Sequence, residues 1–210
     1  MVDIGGNGKE SGGILSYSSF RMSLEMDSIN LPDPTSLPGQ SDLKAPYVFV
    51  GDDGFPLGTN LLQPFPRNNN ITKDKSIFNY RLSCACRTID NTFGILAAWF
   101  RIFKRPVNAT PDHVVSYVKA CVILHSFLRV HESPVFCPPG FTDTEDVEGN
   151  VLCQWRQQTQ DDAGNNNIAS TKSNRGSWEA VSVRDTFMKY ILKRGEVSWQ
   201  NYHVQRVLYD

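Results

Sequence analysis

Two adjacent aspartates, Asp52 and Asp53, follow the apolar run Tyr47-Val48-Phe49-Val50 and Gly51, and precede Gly54-Phe55-Pro56. A third acid, Asp90, lies further on in a long amphipathic segment. Carboxylate oxygens are hard ligands that suit Mg²⁺ or Mn²⁺. A strand that ends in Asp aims its carboxylate into the crevice where open α/β sheets collect ligands. A second acid on a helix packed across that edge can meet it. Two ions held about 3.5–4 Å apart by such oxygens activate a water and stabilise the leaving oxygen in phosphodiester cleavage. The same residues also have a plainer reading. Asp52 and Asp53 form a solvated turn, and Asp90 is a surface residue that pairs with Arg87 three positions earlier, worth roughly a few tenths of a kcal/mol.

The elements that must position these acids are legible to different degrees. The run Tyr47–Val50 is short, β-branched and aromatic, bounded by Pro46 and Gly51. That pattern predicts a fully buried strand. The stretch from Pro56 to Asn70 reads as a loop containing one helical turn. Thr72 can cap a long helix over residues 72–100, with Asp74 in its first turn. Phe78, Leu82, Ala85, Ile89, Phe93, Leu96 and Phe100 recur at steps of three or four, which makes one apolar stripe. Asp90 sits one step past Ile89 and so flanks that stripe. Thr110-Pro111-Asp112 opens a second helix with Thr at the N-cap and Pro at N1. It is apolar nearly all round and reads as a core helix. A last helix spans 179–193, with Val183, Phe187, Tyr190 and Ile191 on one face, and the segment after it is expected to dock. A weaker helix begins near Ser18 or Ser19, and Val2-Asp3-Ile4 suits a short strand ahead of a Gly-rich loop.

Composition narrows the function classes. The 210 residues carry a net charge of −1, which excludes a polyanion binder by bulk charge. The charge is uneven: residues 1–66 hold 3 Lys/Arg against 8 Asp/Glu, and residues 67–105 hold 8 against 2. A basic segment of this kind is either a phosphate-facing surface or a solvated helix face. The five cysteines lack CxxC spacing and do not form a disulfide framework, so they read as free thiols in a reducing compartment. No apolar export signal opens the chain, and no apolar run approaches a membrane span. His125, inside the second helix, reads as a hydrogen-bonded core residue rather than a base.

The segments VGDDGFPL, NLLQPFPR, IFNYRLSCACRTIDNTFGILAAWFRIF and VVSYVKACVILHSFLR resemble, in order, the nuclease domain of Harbinger-type DDE transposases and their host-domesticated derivatives. VDIGGNGKESGGIL and the late VRDTFMKYILKRGEVSWQ are similar to that family too. The resemblance covers residues 1 to about 130, and weakly 179–200. It implies a ribonuclease-H-like fold, a mixed sheet flanked by helices, incomplete at the N-terminus. It also implies Mg²⁺- or Mn²⁺-dependent DNA strand cleavage and transfer by an Asp-Asp-Glu triad. Asp52 matches the family's strand-end Asp, and Asp90 stands where the family has Glu. Both are the expected catalytic and metal-binding residues, and Asp53 is a turn residue.

Four departures follow. The family's first Asp belongs to a segment that would precede Met1, and Asp3 is a poor substitute. Asp90 is shorter than Glu by one C–C bond, roughly 1.5 Å, in a chemistry that tolerates little misplacement. Cys84 and Cys86 stand where the motif is usually basic. Ser126 replaces an Asn, and the Gly-rich loop lacks an Asp between Ser11 and Gly12. The implied organisation is a partial endonuclease domain over 1–130, an irregular polar linker over 131–178, and a helix with a docking tail over 179–210. The expected DNA contacts are Arg81, Arg87, Arg101, Lys104 and Arg105. The resemblance implies DNA as substrate, a nuclear location, a separate DNA-binding partner protein and no membrane. Two functions stay open: a nuclease of weak or no activity, and a non-catalytic remnant that binds DNA or a protein.

Overall fold

The computed structural model describes residue 15 and residues 18–67, 71–145, 151–152 and 176–201. The suggested strand at 2–4, the Gly-rich loop, Asp3, Cys153, His203 and most of 146–175 lie outside the described residues. In chain order the elements are α1 (Ser19–Glu25), β1 (Thr35–Ser36), β2 (Lys44–Ala45), β3 (Phe49–Val50), β4 (Leu61–Leu62) and α2 (Lys73–Trp99). A 3₁₀ turn (Arg101–Lys104) follows, then α3 (Pro111–His131), α4 (Ser133–Phe136), β5 (Thr144–Glu145), β6 (Val151–Leu152) and α5 (Trp178–Ile191). The fold is mixed α/β. It divides into two compact units, one built from residues 3–86 with 168–210, the other from 87–167.

In the first unit, β1 and β2 pair antiparallel, with Thr35 opposite Ala45. β3 and β4 pair in parallel, with Phe49 opposite Leu61 and Val50 opposite Leu62. The core gathers Leu62, Phe65, Phe78 and Leu82, with Val48, Ile71, Val183, Phe187, Met188 and Ile191 packed against it. Phe78 is 0% exposed. The Phe65 and Phe78 rings meet edge to face at 5.3 Å. Asn79 fastens the loop to the helix: its Oδ1 accepts from the Phe65 N–H at 2.7 Å, and its Nδ2 donates to the Phe65 carbonyl at 2.8 Å. The α5 face expected from its spacing packs here, and Tyr190 donates to the Pro38 carbonyl at 3.0 Å. The described residues just after α5 pack on the same unit. Trp199 lies edge to face with Tyr80, and the buried Gln200 donates to the Ile191 carbonyl.

The strand expectation fails in detail. Only Phe49 and Val50 are strand, Phe49 is half-buried, and Tyr47 and Val50 are exposed. Among the described residues β3 pairs on one side only, with β4. A strand with one neighbour leaves its outer edge and part of its apolar side chains open. The stretch read as a loop with a helical turn holds β4 instead, and both of its leucines are buried.

In the second unit the core is Ile95, Phe136 and Phe141, with Ala98, Leu128 and Cys137 around it. Trp99 stacks on Phe136 at 5.2 Å and donates from its indole nitrogen to the Phe136 carbonyl at 2.9 Å. Asn91 accepts from the Asp143 N–H at 3.0 Å. α4 and the β5–β6 pair fall inside the span expected to be an irregular linker.

α2 begins and ends within one residue of the sequence expectation, and α3 opens at Pro111 after Thr110 as expected. Their burial differs from it. Ile89 and Phe93, in the middle of the α2 stripe, are exposed. α3 buries His125 but exposes Tyr117, Ile123, Leu124, Phe127 and Val130. Its neighbour α4 has four residues and cannot cover a helix of 21. The sequence expectation also missed that α3 is long and apolar enough to cross a membrane, by length and composition alone. Among the described residues, Cys84, Cys86, Cys121 and Cys137 form no disulfide.

Candidate active site

β3 delivers Asp52 to a strand end. The Gly51 N–H donates to the Leu62 carbonyl at 2.9 Å, which carries the parallel ladder one residue past Val50. The chain then turns sharply. Gly51 is required there because an added Cβ would lie 2.9 Å from Cδ2 of Phe55. Asp52 closes the turn with its own side chain: Oδ1 accepts from the Gly54 N–H at 2.9 Å, while the Asp52 carbonyl accepts from the Phe55 N–H at 3.3 Å. This is an Asx turn of the kind Asp-x-Gly favours. The Asp53 carbonyl accepts from Gln63 at 3.0 Å, which pins the turn to the residue after β4.

Both side chains, Asp52 and Asp53, are exposed. An ionised carboxylate has about four acceptor positions, and the Gly54 contact occupies one of those on Asp52. The turn therefore holds the carboxylate at a fixed place without using it up. Asp52 follows the end of β3 and opens the turn, and Asp53 lies within it.

Asp90 is exposed on α2. It falls in the second unit and Asp52 in the first, so neither unit by itself assembles the pair. Among the described residues no group of three or more His, Cys, Asp or Glu is placed to hold a metal ion. Asp52 and Asp90 are each a hard oxygen donor of the right kind for Mg²⁺ or Mn²⁺. Such ions are often held by one or two carboxylates and complete their shells with water and substrate phosphate. In donor chemistry Asp52 and Asp90 fit that cation.

The basic residues separate into two groups. Arg81 donates from Nη1 to the Gly195 carbonyl at 3.0 Å and to Gln200 Oε1 at 2.9 Å, and its guanidinium lies 5.5 Å from the centroid of the Trp199 ring. These contacts make it a staple for the segment after α5. Arg87 is half-buried on α2. Arg101, Lys104 and Arg105 cluster just past the C-terminal end of α2, where cations also complement the helix dipole.

Some arrangements were not expected from the sequence. One is the Asn79 clamp, whose only signal is a polar residue beside Phe78 on the buried side of α2. Another is a cavity of about 500 Å³ beside Phe65, Lys75 and Arg184 in the first unit. His125 is buried, with its ring edge on Phe136 at 5.3 Å, but the hydrogen bond expected of it is not seen at Nδ1 among the described residues. Burial pushes its pKa down, and the Arg129 charge adds to that.

A family model described as DDE superfamily endonuclease matches residues 14–126, more than half of the chain and the span that contains both Asp52 and Asp90. No curated protein and no solved structure matches the chain.

Proposed function

The chain belongs to the DDE superfamily endonucleases, and from that premise we propose that it is a Harbinger-type, transposase-derived nuclease domain with a ribonuclease-H-like fold. Endonucleases of this superfamily act on DNA with divalent metal ions. In this reading Asp52 and Asp90 are the ligands this chain contributes to Mg²⁺ or Mn²⁺. The bound cation would supply a polarised water and charge neutralisation at the scissile phosphate. The observation that carries the reading is Asp52 itself: a strand-end carboxylate, fixed by Gly51 and Gly54, exposed, and inside the family match.

Asp52 acts by holding its carboxylate at a constant position through the Asx turn, so that little entropy is lost when a cation arrives. Asp90 has a shorter reach than the family's Glu. Misplacing a ligand by about 1 Å can cost 10²-fold in rate. Cleavage by this chain alone is therefore weak or absent. Arg87, Arg101, Lys104 and Arg105 are the cations proposed to meet the DNA backbone, and Arg81 serves first as a staple. The reading places the protein in the nucleus, with a separate DNA-binding protein as partner.

A second reading is a non-catalytic remnant that binds DNA or a protein. It is favoured by the lack of a three-acid cluster among the described residues. Nicking of supercoiled DNA in Mn²⁺ separates the two. We expect little nicking by the wild-type chain and a gain of at least tenfold in Asp90→Glu, abolished by adding Asp52→Ala. An Asp90→Glu variant no more active than wild type would favour the remnant. Strong wild-type nicking lost in Asp52→Ala would overturn the weak-activity assignment.

A further inference from the structure

The lining of the cavity in the first unit includes neither Asp52 nor Asp90. Its walls are the Phe65-Pro66 turn, Ile71 and Lys75 at the start of α2, and Val181, Arg184, Asp185 and Met188 on α5. Phe65 is held rigidly, since Asn79 takes both its backbone groups. Two cations lie against its ring: the Arg184 guanidinium at 4.0 Å from the centroid and the Lys75 ammonium at 5.1 Å.

Arg184 is the unusual member. Its Nε is buried and has no hydrogen-bond acceptor among the described residues. A buried guanidinium nitrogen without an acceptor is costly. Asp185 is the one carboxylate on the wall. With Lys75 and Arg184 opposite it in sign, the lining carries a net charge of +1. One monoanion would neutralise it.

The volume says more about the ligand. About 500 Å³ is the size of a small-molecule site. A bare oxyanion would leave most of it empty, against the apolar faces of Phe65, Val181 and Met188. We propose that this cavity binds an organic oxyanion, a phosphate or carboxylate group on an apolar body, with its anionic oxygens accepting from the Arg184 guanidinium and Lys75 supplying the second charge. Arg184 suits this task because its planar fork gives a directed donor that lysine lacks.

The test uses the whole chain and phenyl phosphate as probe, followed by the Arg184 Nε–H signal in a ¹⁵N correlation spectrum. Phenyl phosphate should shift that signal and bind at least tenfold more tightly than inorganic phosphate. Benzoate should shift it too, which would establish that the oxyanion rather than phosphorus is read. Benzyl alcohol should not. Arg184→Lys keeps a charge but removes Nε, and should weaken phenyl phosphate at least tenfold. Lys75→Met, on the other helix, should weaken it severalfold and guards against a folding defect at Arg184. The proposal is overturned if phenyl phosphate leaves the Arg184 signal unmoved, if benzyl alcohol binds as well, or if a duplex oligonucleotide gives the same shift at lower concentration. The last result would assign the site to nucleic acid.

Discussion

Asn79→Ala should uncouple the Phe65 turn from α2. The Asn79 amide makes both hydrogen bonds that the Phe65 backbone has at this point, at 2.7 and 2.8 Å, and the residue is buried. Alanine removes both partners and leaves a donor and an acceptor facing an apolar core of Phe78 and Leu82. Each buried backbone group left unpaired costs about 1–3 kcal/mol. Water entering the space left by the amide can recover part of that, so the expected loss is about 2–4 kcal/mol. The local assay is hydrogen exchange at the Phe65 amide. Every 1.4 kcal/mol is tenfold in the opening equilibrium, so protection should fall by roughly 30- to 700-fold. Asn79→Asp keeps the acceptor for the Phe65 N–H but sets a carboxylate oxygen against the Phe65 carbonyl, and it should be at least as damaging. An Asn79→Ala chain with Phe65 protection within twofold of wild type would refute the clamp.

Three further outcomes follow from the same packing. Phe78→Ala should cost about 3–5 kcal/mol in chemical denaturation, because the side chain is 0% exposed, whereas Ile123→Ser, at a position 67% exposed, should stay within about 0.5 kcal/mol. Arg81→Met removes the hydrogen bonds to Gly195 and Gln200, so Trp199 emission should shift to the red and its segment should become open to proteolysis. His125 has a folded pKa below its ordinary value of 6.5, first through burial and then through Arg129. The unfolded chain therefore binds the proton more readily. The stabilising difference is fully present above 6.5 and is lost as pH falls through that value toward the lowered folded pKa. Stability of the second unit measured from pH 7.5 to 5 should show this slope, and His125→Phe should flatten it.

The three longer helices were readable because their signals are local. Pro111 at N1, and the spacing of Val183, Phe187 and Ile191, depend on residues within a few turns. The sheets were not readable in the same way. Each of their strands is two residues long, too short to carry a period, and β4 exists through its pairing with β3 across eleven intervening positions. Burial was misread where apolar content alone was used: Ile89, Phe93 and Phe127 fit an apolar pattern yet are exposed. A pattern shows which side chains would gain by being covered, not whether anything covers them. At the candidate site, the strand-end place of Asp52 and the turn place of Asp53 were legible from Val-Gly-Asp-Asp-Gly. The second role of Asp52, closing its own turn onto Gly54, is also local chemistry, but it shows only once the hydrogen bond is seen. The cavity at Phe65 was invisible because Lys75 and Arg184 come together through the tertiary packing of α2 and α5.

The central proposal, that Asp52 and Asp90 are metal ligands, is tested most directly by paramagnetic broadening with Mn²⁺. The account predicts selective loss of the amide signals of Gly51, Asp53 and Gly54, together with those flanking Asp90, at substoichiometric Mn²⁺. Both sets should return in Asp52→Ala. Broadening that misses Gly51–Gly54, or that persists unchanged in Asp52→Ala, would contradict it.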